Sequence, residues 1–449
     1  MRPVLVALLL CCCFTSVQAQ MLAEKPPMGW NSYNCFGSTV TEAEVKSNAD
    51  HMKALLADFG WEYVVVDYCW SYPTPGAMGN PPQTEDFKPR LTMDKYGRLM
   101  PVVERFPSAA GGKGFKPLAD YIHGLGLKFG IHVMRGIPRQ AVSDNVPIMG
   151  TNLRAQDIVD MSSTCPWLNH MYGIDETKPG AQEYYDSLIK LYADWGVDYI
   201  KVDDILARDK YHSWDVEALN KAIEKCGRPI VLSLSPGGGA KLEQAEHLKQ
   251  YPNLWRISAD FWDSWEQLEE QFDLCAQWAP HITPGHWPDA DMLTLGRLGR
   301  RGPENQMDRI SNFTKDEQCT LMTLWSIFRS PLMMGGDLNY LDHFTRDLLT
   351  NREVLEVNQN STNNRQLFRR GNHVAWVADV PGSRDKYVAA FNLGEDPETP
   401  VYISLDDVGF SGRVMVRDLW KNQDLQTLQK AFAPVLAPHG GGLYRLTPQ

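Results

Sequence analysis

Five aspartates in this 449-residue chain stand at or just beyond the ends of short, β-rich apolar runs. Asp67 follows Val64-Val65-Val66, Asp203 follows Ile200-Lys201-Val202, Asp260 follows Arg256-Ile257-Ser258-Ala259, and Asp289 and Asp291 follow His286-Trp287. Arg135 and Ser235 close two more such runs, His132-Val133-Met134 and Leu232-Ser233-Leu234. One aspartate after a strand has a ready structural explanation as a helix N-cap. Several converging on one rim can do acid–base and nucleophilic chemistry. Cleavage of a glycosidic bond needs two of them, one to attack or stabilise the anomeric carbon and one to protonate the leaving oxygen. A divalent metal would also draw carboxylates, but it usually adds His or Asn ligands at close spacing. His281 and His286, across a predicted strand and loop, point in different directions. Neither a metal nor a cofactor is expected. No GxSxG elbow occurs, and Ser235-Pro236-Gly237-Gly238-Gly239 lacks the spacing of a phosphate-binding loop.

The elements needed to hold these residues together are visible in the hydrophobic pattern. Short apolar runs alternate with amphipathic segments from Pro27 to about Asp337, as in repeated βα units on a parallel sheet. The predicted strands are Met28 to Tyr33, Tyr63 to Cys69, Lys128 to Met134, Tyr199 to Asp203, Ile230 to Ser235, Leu254 to Ser258, Ile282 to Gly285 and Ser330 to Met334. The predicted helices include Glu42 to Phe59, Phe115 to Leu125, Ala181 to Trp195, Trp214 to Lys225, Gly239 to Tyr251, Ser264 to Trp278 and Lys315 to Phe328. Eight strands is the number of a (β/α)8 barrel, whose reacting groups sit at the C-terminal strand ends. A doubly wound sheet would show the same alternation, but its glycine-rich fingerprint after the first strand is missing. The fold class is therefore read as α/β, a (β/α)8 TIM barrel over residues 25–350. After about Asn360 the pattern turns to strands with turn punctuation and no helical crossovers, which predicts an antiparallel β-sandwich over 360–449 that abuts the barrel rigidly.

Composition narrows the partners. Hydrophobic residues make up 43% and charged residues 22%, an ordinary globular balance. A net charge of -11 argues against binding to nucleic acid or anionic lipid, since both need clustered Lys and Arg. The 14 Trp and 17 Tyr can stack on sugar rings as well as fill cores. Met1-Arg2-Pro3, the apolar run Val4 to Phe14 and the small-residue site at Ala19 read as a signal peptide over residues 1–19. That run is too short to span a bilayer, and the expected location is secreted or periplasmic. Six cysteines follow it: Cys35, Cys69, Cys165, Cys226, Cys275 and Cys319. A disulfide is expected in that setting, with Cys35 and Cys69, near the ends of early strands, as the candidate pair.

Four longer motifs carry a resemblance. They are Pro27-Met28-Gly29-Trp30-Asn31-Ser32, Val64-Val65-Val66-Asp67-Tyr68-Cys69-Trp70, the stretch from Asp194 to Asp203 (DWGVDYIKVD), and Pro288-Asp289-Ala290-Asp291-Met292-Leu293. With Trp325 through Gly336 (WSIFRSPLMMGG), they resemble glycoside hydrolase family 27, in order and over essentially the whole chain beyond the signal segment. That family contains α-galactosidases, α-N-acetylgalactosaminidases and β-L-arabinopyranosidases. The resemblance implies a retaining mechanism on a barrel followed by a β-sandwich, with Asp203 as nucleophile and Asp260 as acid/base. It also implies sugar contacts from Asp67, Lys201, Arg256 and Asp291, with Trp30 and Tyr33 flooring the pocket. A retaining pair lies ~5 to 5.5 Å apart, and the acid needs a pKa raised to about 6 by burial and an anionic neighbour. Lys201 is expected to keep Asp203 ionised. Asp204 would point away from the site if the strand continues.

The chain departs from that family's pattern on the substrate face. Typical α-galactosidases carry two adjacent aspartates at the end of the second strand, where the second holds hydroxyls around C4 and C6; here it is Tyr68. His132 occupies the third strand's end region, where a Tyr and an acidic residue are usual, and Ser235 ends the fifth in place of Cys-Glu-Trp. Tyr68, His132 and Ser235 are accordingly further sugar-contact candidates. The leading expectation is an exo-acting α-D-galactosidase with a carbohydrate substrate. L-arabinopyranose is galactose without its C6 group, so a β-L-arabinopyranosidase is the alternative, alone or alongside the first activity. A glycan-binding protein without catalysis is a third reading, opposed by the retention of Asp203, Asp260 and Lys201. The sequence does not bear on the oligomeric state.

Overall fold

The computed structural model describes residues 21–73, 83–206, 210–236, 238–302, 307–396 and 399–449. The predicted signal segment and Gly237 of the glycine run lie outside the described residues. Eight parallel strands form one curled sheet: β1 (Met28–Asn31), β2 (Tyr63–Val66), β3 (Lys128–Met134), β4 (Tyr199–Leu206), β5 (Val231–Pro236), β6 (Leu254–Arg256), β7 (Trp287–Asp289) and β8 (Leu332–Met334). From β1 to β7 each strand is hydrogen-bonded to the next in sequence, and β8 pairs with β1. A parallel bridge between Leu293, just after β7, and Met334 closes the cylinder. The connecting helices are α1 (Glu42–Leu55), α2 (Lys116–Gly124), α3 (Ala181–Trp195), α4 (Ser213–Cys226), α5 (Trp265–Trp278) and α6 (Lys315–Phe328).

Alternation along the strands sorts side chains between lumen and helices. Tyr63 and Val65 of β2, Tyr199 of β4, Val231 of β5, Leu254 of β6 and Met333 of β8 pack together as the plug of the barrel. Val64, Val66, Ile200, Val202, Leu232 and Leu234 face the helices as part of the large outer core. Gly29 in β1 lies opposite Tyr63 in β2, where an added Cβ would sit 2.4 Å from the Tyr63 carbonyl oxygen. Because the obstruction is backbone in a closed sheet, Gly29→Ala is expected to destabilise the fold by about 3 kcal/mol. Chemical denaturation should show the lower midpoint, and an unchanged midpoint would contradict this packing.

Three sequence expectations differ from the structure. The seventh strand is Trp287–Asp289, not Ile282 to Gly285, which forms a turn bridged between Thr283 and His286 with Gly285 at φ +85°. The helix predicted over Gly239 to Tyr251 reduces to a 3-10 turn, Leu242–Gln244, and a single α-turn, Ala245–Leu248, since little chain separates β5 from β6. The Cys35–Cys69 disulfide is absent, and all six cysteines are free thiols. Cys35 is buried in the outer core, whereas Cys69 packs with Tyr68, Tyr72 and Cys165 in a separate cluster, so the two thiols face different surroundings. Between β3 and α3 the chain also builds an unanticipated three-stranded antiparallel sheet from Ile137–Pro138, Val159–Thr164 and Met171–Ile174.

Two helices, α7 (His343–Thr350) and α8 (Arg352–Asn360), lead to the C-terminal sheet. That sheet holds β9 (Thr362–Arg370), β10 (His373–Asp379), β11 (Lys386–Asn392), β12 (Val414–Asp418), β13 (Gln423–Leu428) and β14 (Gly441–Pro448), in the antiparallel order β9-β10-β11-β14-β12-β13. One face, with Ala375, Val377, Val388 and Val416, covers its own core against two short ribbons and the turn at Leu405–Val408. The opposite face, with Trp376, Ala389, Phe391 and Leu443, joins the barrel's outer core. There Trp376 meets Phe328 of α6 edge-on at 6.3 Å, and Phe391 meets Phe272 of α5 at 4.8 Å.

Candidate active site

Lumen alternation continues upward from the apolar plug and becomes polar at the C-terminal ends. On β4, Tyr199 in the plug is followed on the same face by Lys201 and then Asp203. In register beside them, Lys201 lies opposite His132 of β3 and Ser233 of β5. Asp67, immediately after β2, is buried and accepts hydrogen bonds from Asn31 Nδ2 at 2.7 Å and from Lys201 Nζ at 3.1 Å. Burial alone would push this carboxyl up. The charges of Lys201 and His132, with hydrogen bonds from the Tyr68 backbone and Asn31, hold it down at about 2. Burial likewise opposes the charge on Lys201, but Asp67 and then Asp203 hold the ammonium's pKa above its ordinary value.

Asp203 is bracketed at both oxygens. The Asp204 backbone N–H donates to Oδ1 at 2.7 Å, and His132 Nε2 lies 3.2 Å from Oδ2. Lys201 therefore bonds Asp67, and its influence on Asp203 is through space. Across the lumen, the buried Arg256 of β6 forms an ion pair with Asp291 at 2.6 Å and reaches Asp260 at 3.4 Å. Its charge also acts on Asp203, more weakly than on Asp291 and Asp260. Burial pushes the Asp291 carboxyl up, against the pull of Arg256, with Asp260 and Asp289 adding to the rise. Asp291 holds φ +83°, a conformation a non-glycine residue adopts only when its surroundings enforce it. Its N–H donates to Asp289 Oδ1 at 2.8 Å, and its carboxylate accepts from the Phe261 N–H at 2.8 Å.

Asp260 itself is not buried as expected. Its side chain is 60% exposed, because it stands in the loop beyond β6. Trp30 is a second correction. It is 0% exposed, donates its indole N–H to the Gly336 carbonyl at 2.9 Å, and shares the helix-facing side of β1, so it cannot floor a pocket. Tyr33 is instead partly exposed, and its ring centre lies 6.0 Å from Lys201 Nζ. Tyr68 is 4% exposed and meets Tyr33, His132 and Trp167 edge-on. Ser235 is buried at the top of β5. Sequence reasoning did not single out Asn31 or Trp167. Asn31 shares the inward side of β1 with Gly29, a signal readable by alternation, whereas Trp167 comes from the insertion after β3, which has no periodic signature. Among the described residues no cluster of His, Cys, Asp or Glu is arranged to hold a metal, and no helix is long and apolar enough to cross a membrane.

Comparison with known proteins bears on this geometry. The family model for alpha galactosidase A matches residues 173–360, and the model for the alpha galactosidase C-terminal beta sandwich domain matches residues 370–446. A solved β-L-arabinopyranosidase of family GH27 from Geobacillus stearothermophilus superposes with a TM-score of 0.92 at 52% identity, over 95% of this chain and 97% of that one. The chain belongs to glycoside hydrolase family 27. This family 27 protein is a glycoside hydrolase with a carbohydrate substrate, on the barrel and β-sandwich its sequence predicts. A variant of the Geobacillus enzyme has been solved with arabinose, again at 52% identity. Among curated relatives, the alpha-galactosidase of Coffea arabica is 29% identical over 97% of both chains, and alpha-galactosidase 2 of Arabidopsis thaliana is 27% identical over 95% of this chain and 90% of its own.

Proposed function

We propose that this chain is an exo-acting retaining α-D-galactosidase that also hydrolyses β-L-arabinopyranosides, with Asp203 as nucleophile and Asp260 as acid/base. The observation that carries the reading is the position of Arg256, paired with Asp291 at 2.6 Å and with Asp260 at 3.4 Å and acting on Asp203 through its charge, in a lumen where Asp67, Asp289 and Asp291 add negative charge around two cations. Such a surplus favours the oxocarbenium-like transition state of glycoside cleavage. Attack by Asp203 on the anomeric carbon expels the leaving oxygen as Asp260 protonates it. Asp260 then deprotonates water to release the glycosyl-enzyme with net retention. Asp67 and Lys201 act as sugar-hydroxyl ligands, held as a preformed pair, and the N-terminal apolar segment supports export of the enzyme.

Tyr68 favours weighting the second substrate. It stands where a carboxylate would grip the hydroxyls around C4 and C6, and its buried hydroxyl has no hydrogen-bond partner. A pentopyranose needs no grip at C6. The test compares kcat/KM for nitrophenyl α-D-galactoside and nitrophenyl β-L-arabinopyranoside. Turnover of both supports dual activity, and failure on galactosides would remove the first half of the reading. Tyr68→Asp should then shift the ratio toward the galactoside by about ten- to a hundredfold, the scale of one hydrogen bond to a charged acceptor. A ratio unmoved by that change would separate Tyr68 from sugar selection.

A further inference from the structure

Asp204 keeps the alternation of its strand but departs from its backbone conformation. It has the opposite parity to Asp203, its side chain turns away from the lumen, and its backbone is left-handed at φ +60°. Glycine takes that conformation freely and asparagine and aspartate more readily than other residues, but holding it in one fixed geometry still calls for the support of outside contacts. The support is Arg135, just after β3. Its Nε–H donates to the Asp204 carbonyl at 2.9 Å, and its Nη2 pairs with Asp204 Oδ2 at 2.9 Å. The Arg135 backbone N–H donates in turn to the Asp203 carbonyl at 3.2 Å. Both side chains are buried. The next residue, Gly136, is at φ +84° and is fixed through its N–H to the Tyr185 hydroxyl at 2.9 Å.

We infer that Arg135 and Asp204 are positioning residues for the nucleophile: their closed ring of contacts fixes the left-handed peptide whose N–H is aimed at Asp203 Oδ1. That donor and His132 set the rotation of the Asp203 carboxylate, leaving it little freedom before the sugar arrives. Neither Arg135 nor Asp204 needs to touch substrate. The inference rests on Asp203 being the nucleophile.

Asp204→Asn and Asp204→Leu test it. Asparagine tolerates the left-handed turn and still accepts from Arg135, so its kcat is expected within about threefold of wild type. Leucine does neither, so kcat should fall by about a hundredfold while KM stays within about threefold, the signature of a misaimed group rather than lost binding. Circular dichroism and the melting transition establish that each variant is folded. If the leucine variant does not fold, Asp204→Gly replaces it, since glycine adopts the turn freely but leaves it ungripped, and a loss of about tenfold in kcat is expected. A folded leucine or glycine variant with wild-type kcat overturns the inference, as does an asparagine variant as impaired as leucine. If Asp203→Gly keeps wild-type activity, the nucleophile assignment fails instead, and the two failures are told apart.

Discussion

Asp203→Gly is expected to give a folded protein whose turnover falls by at least about a thousandfold, because the other lumen carboxylates, Asp67, Asp289 and Asp291, are already engaged by Lys201, the Asp291 N–H and Arg256. The side chain is small and lies at the last pair between β3 and β4, with its hydrogen bonds coming from the Asp204 N–H and His132, so its removal opens space in the site without uncovering the apolar plug. That space admits a small anion. With a nitrophenyl glycoside and added azide, nitrophenolate leaves as a C1–N bond forms on the vacated face, and the product is a glycosyl azide of inverted configuration. Azide should therefore restore a measurable part of the rate, and the product's anomeric configuration can be read by NMR. Wild-type activity in the glycine variant would sink the assignment.

Asp260→Ala is expected to separate substrates by their leaving groups. A sugar alkoxide leaves only with a proton, so kcat/KM for an oligosaccharide should drop by about 10²- to 10⁴-fold. A dinitrophenolate leaves unaided, and its kcat/KM should change by about tenfold or less. Under the proposed assignment the same residue is the base for the second half-reaction. The variant given the activated substrate should then accumulate a covalent intermediate on Asp203, visible as a burst of phenolate and an added sugar mass. Equal losses on both substrates would mean that another group supplies the proton.

Much of this site is legible in the letters of β4. Tyr199, Lys201 and Asp203 share a parity and Asp204 does not, which is enough to place three residues in the lumen and turn one away. The same parity explains the failure at Trp30, which alternates with Gly29 and Asn31 and so faces the helices, where no sugar reaches. The seventh strand was misplaced for a physical reason. Trp287-Pro288-Asp289 contains a proline, which argues against a strand flanked on both sides, while Ile282-Thr283 looks more β-prone and yet forms a turn. The exposure of Asp260 was also beyond the sequence, because a loop's depth depends on what surrounds it. The Arg135 brace joins two strands through a backbone conformation that no pattern of residue types encodes.

The helix α6 has a consequence for how the two halves of the molecule are related. From Thr320 to Phe328 every residue is buried, one side against the barrel and the other beneath the C-terminal sheet. The sheet is thus not a cassette that can be exchanged between chains. A replacement would have to offer α6 a surface cut to Trp376, Phe391 and Leu443, and a barrel lacking one would present a sticky, water-facing hydrocarbon stripe. The two halves share one hydrophobic seam and should unfold as one unit.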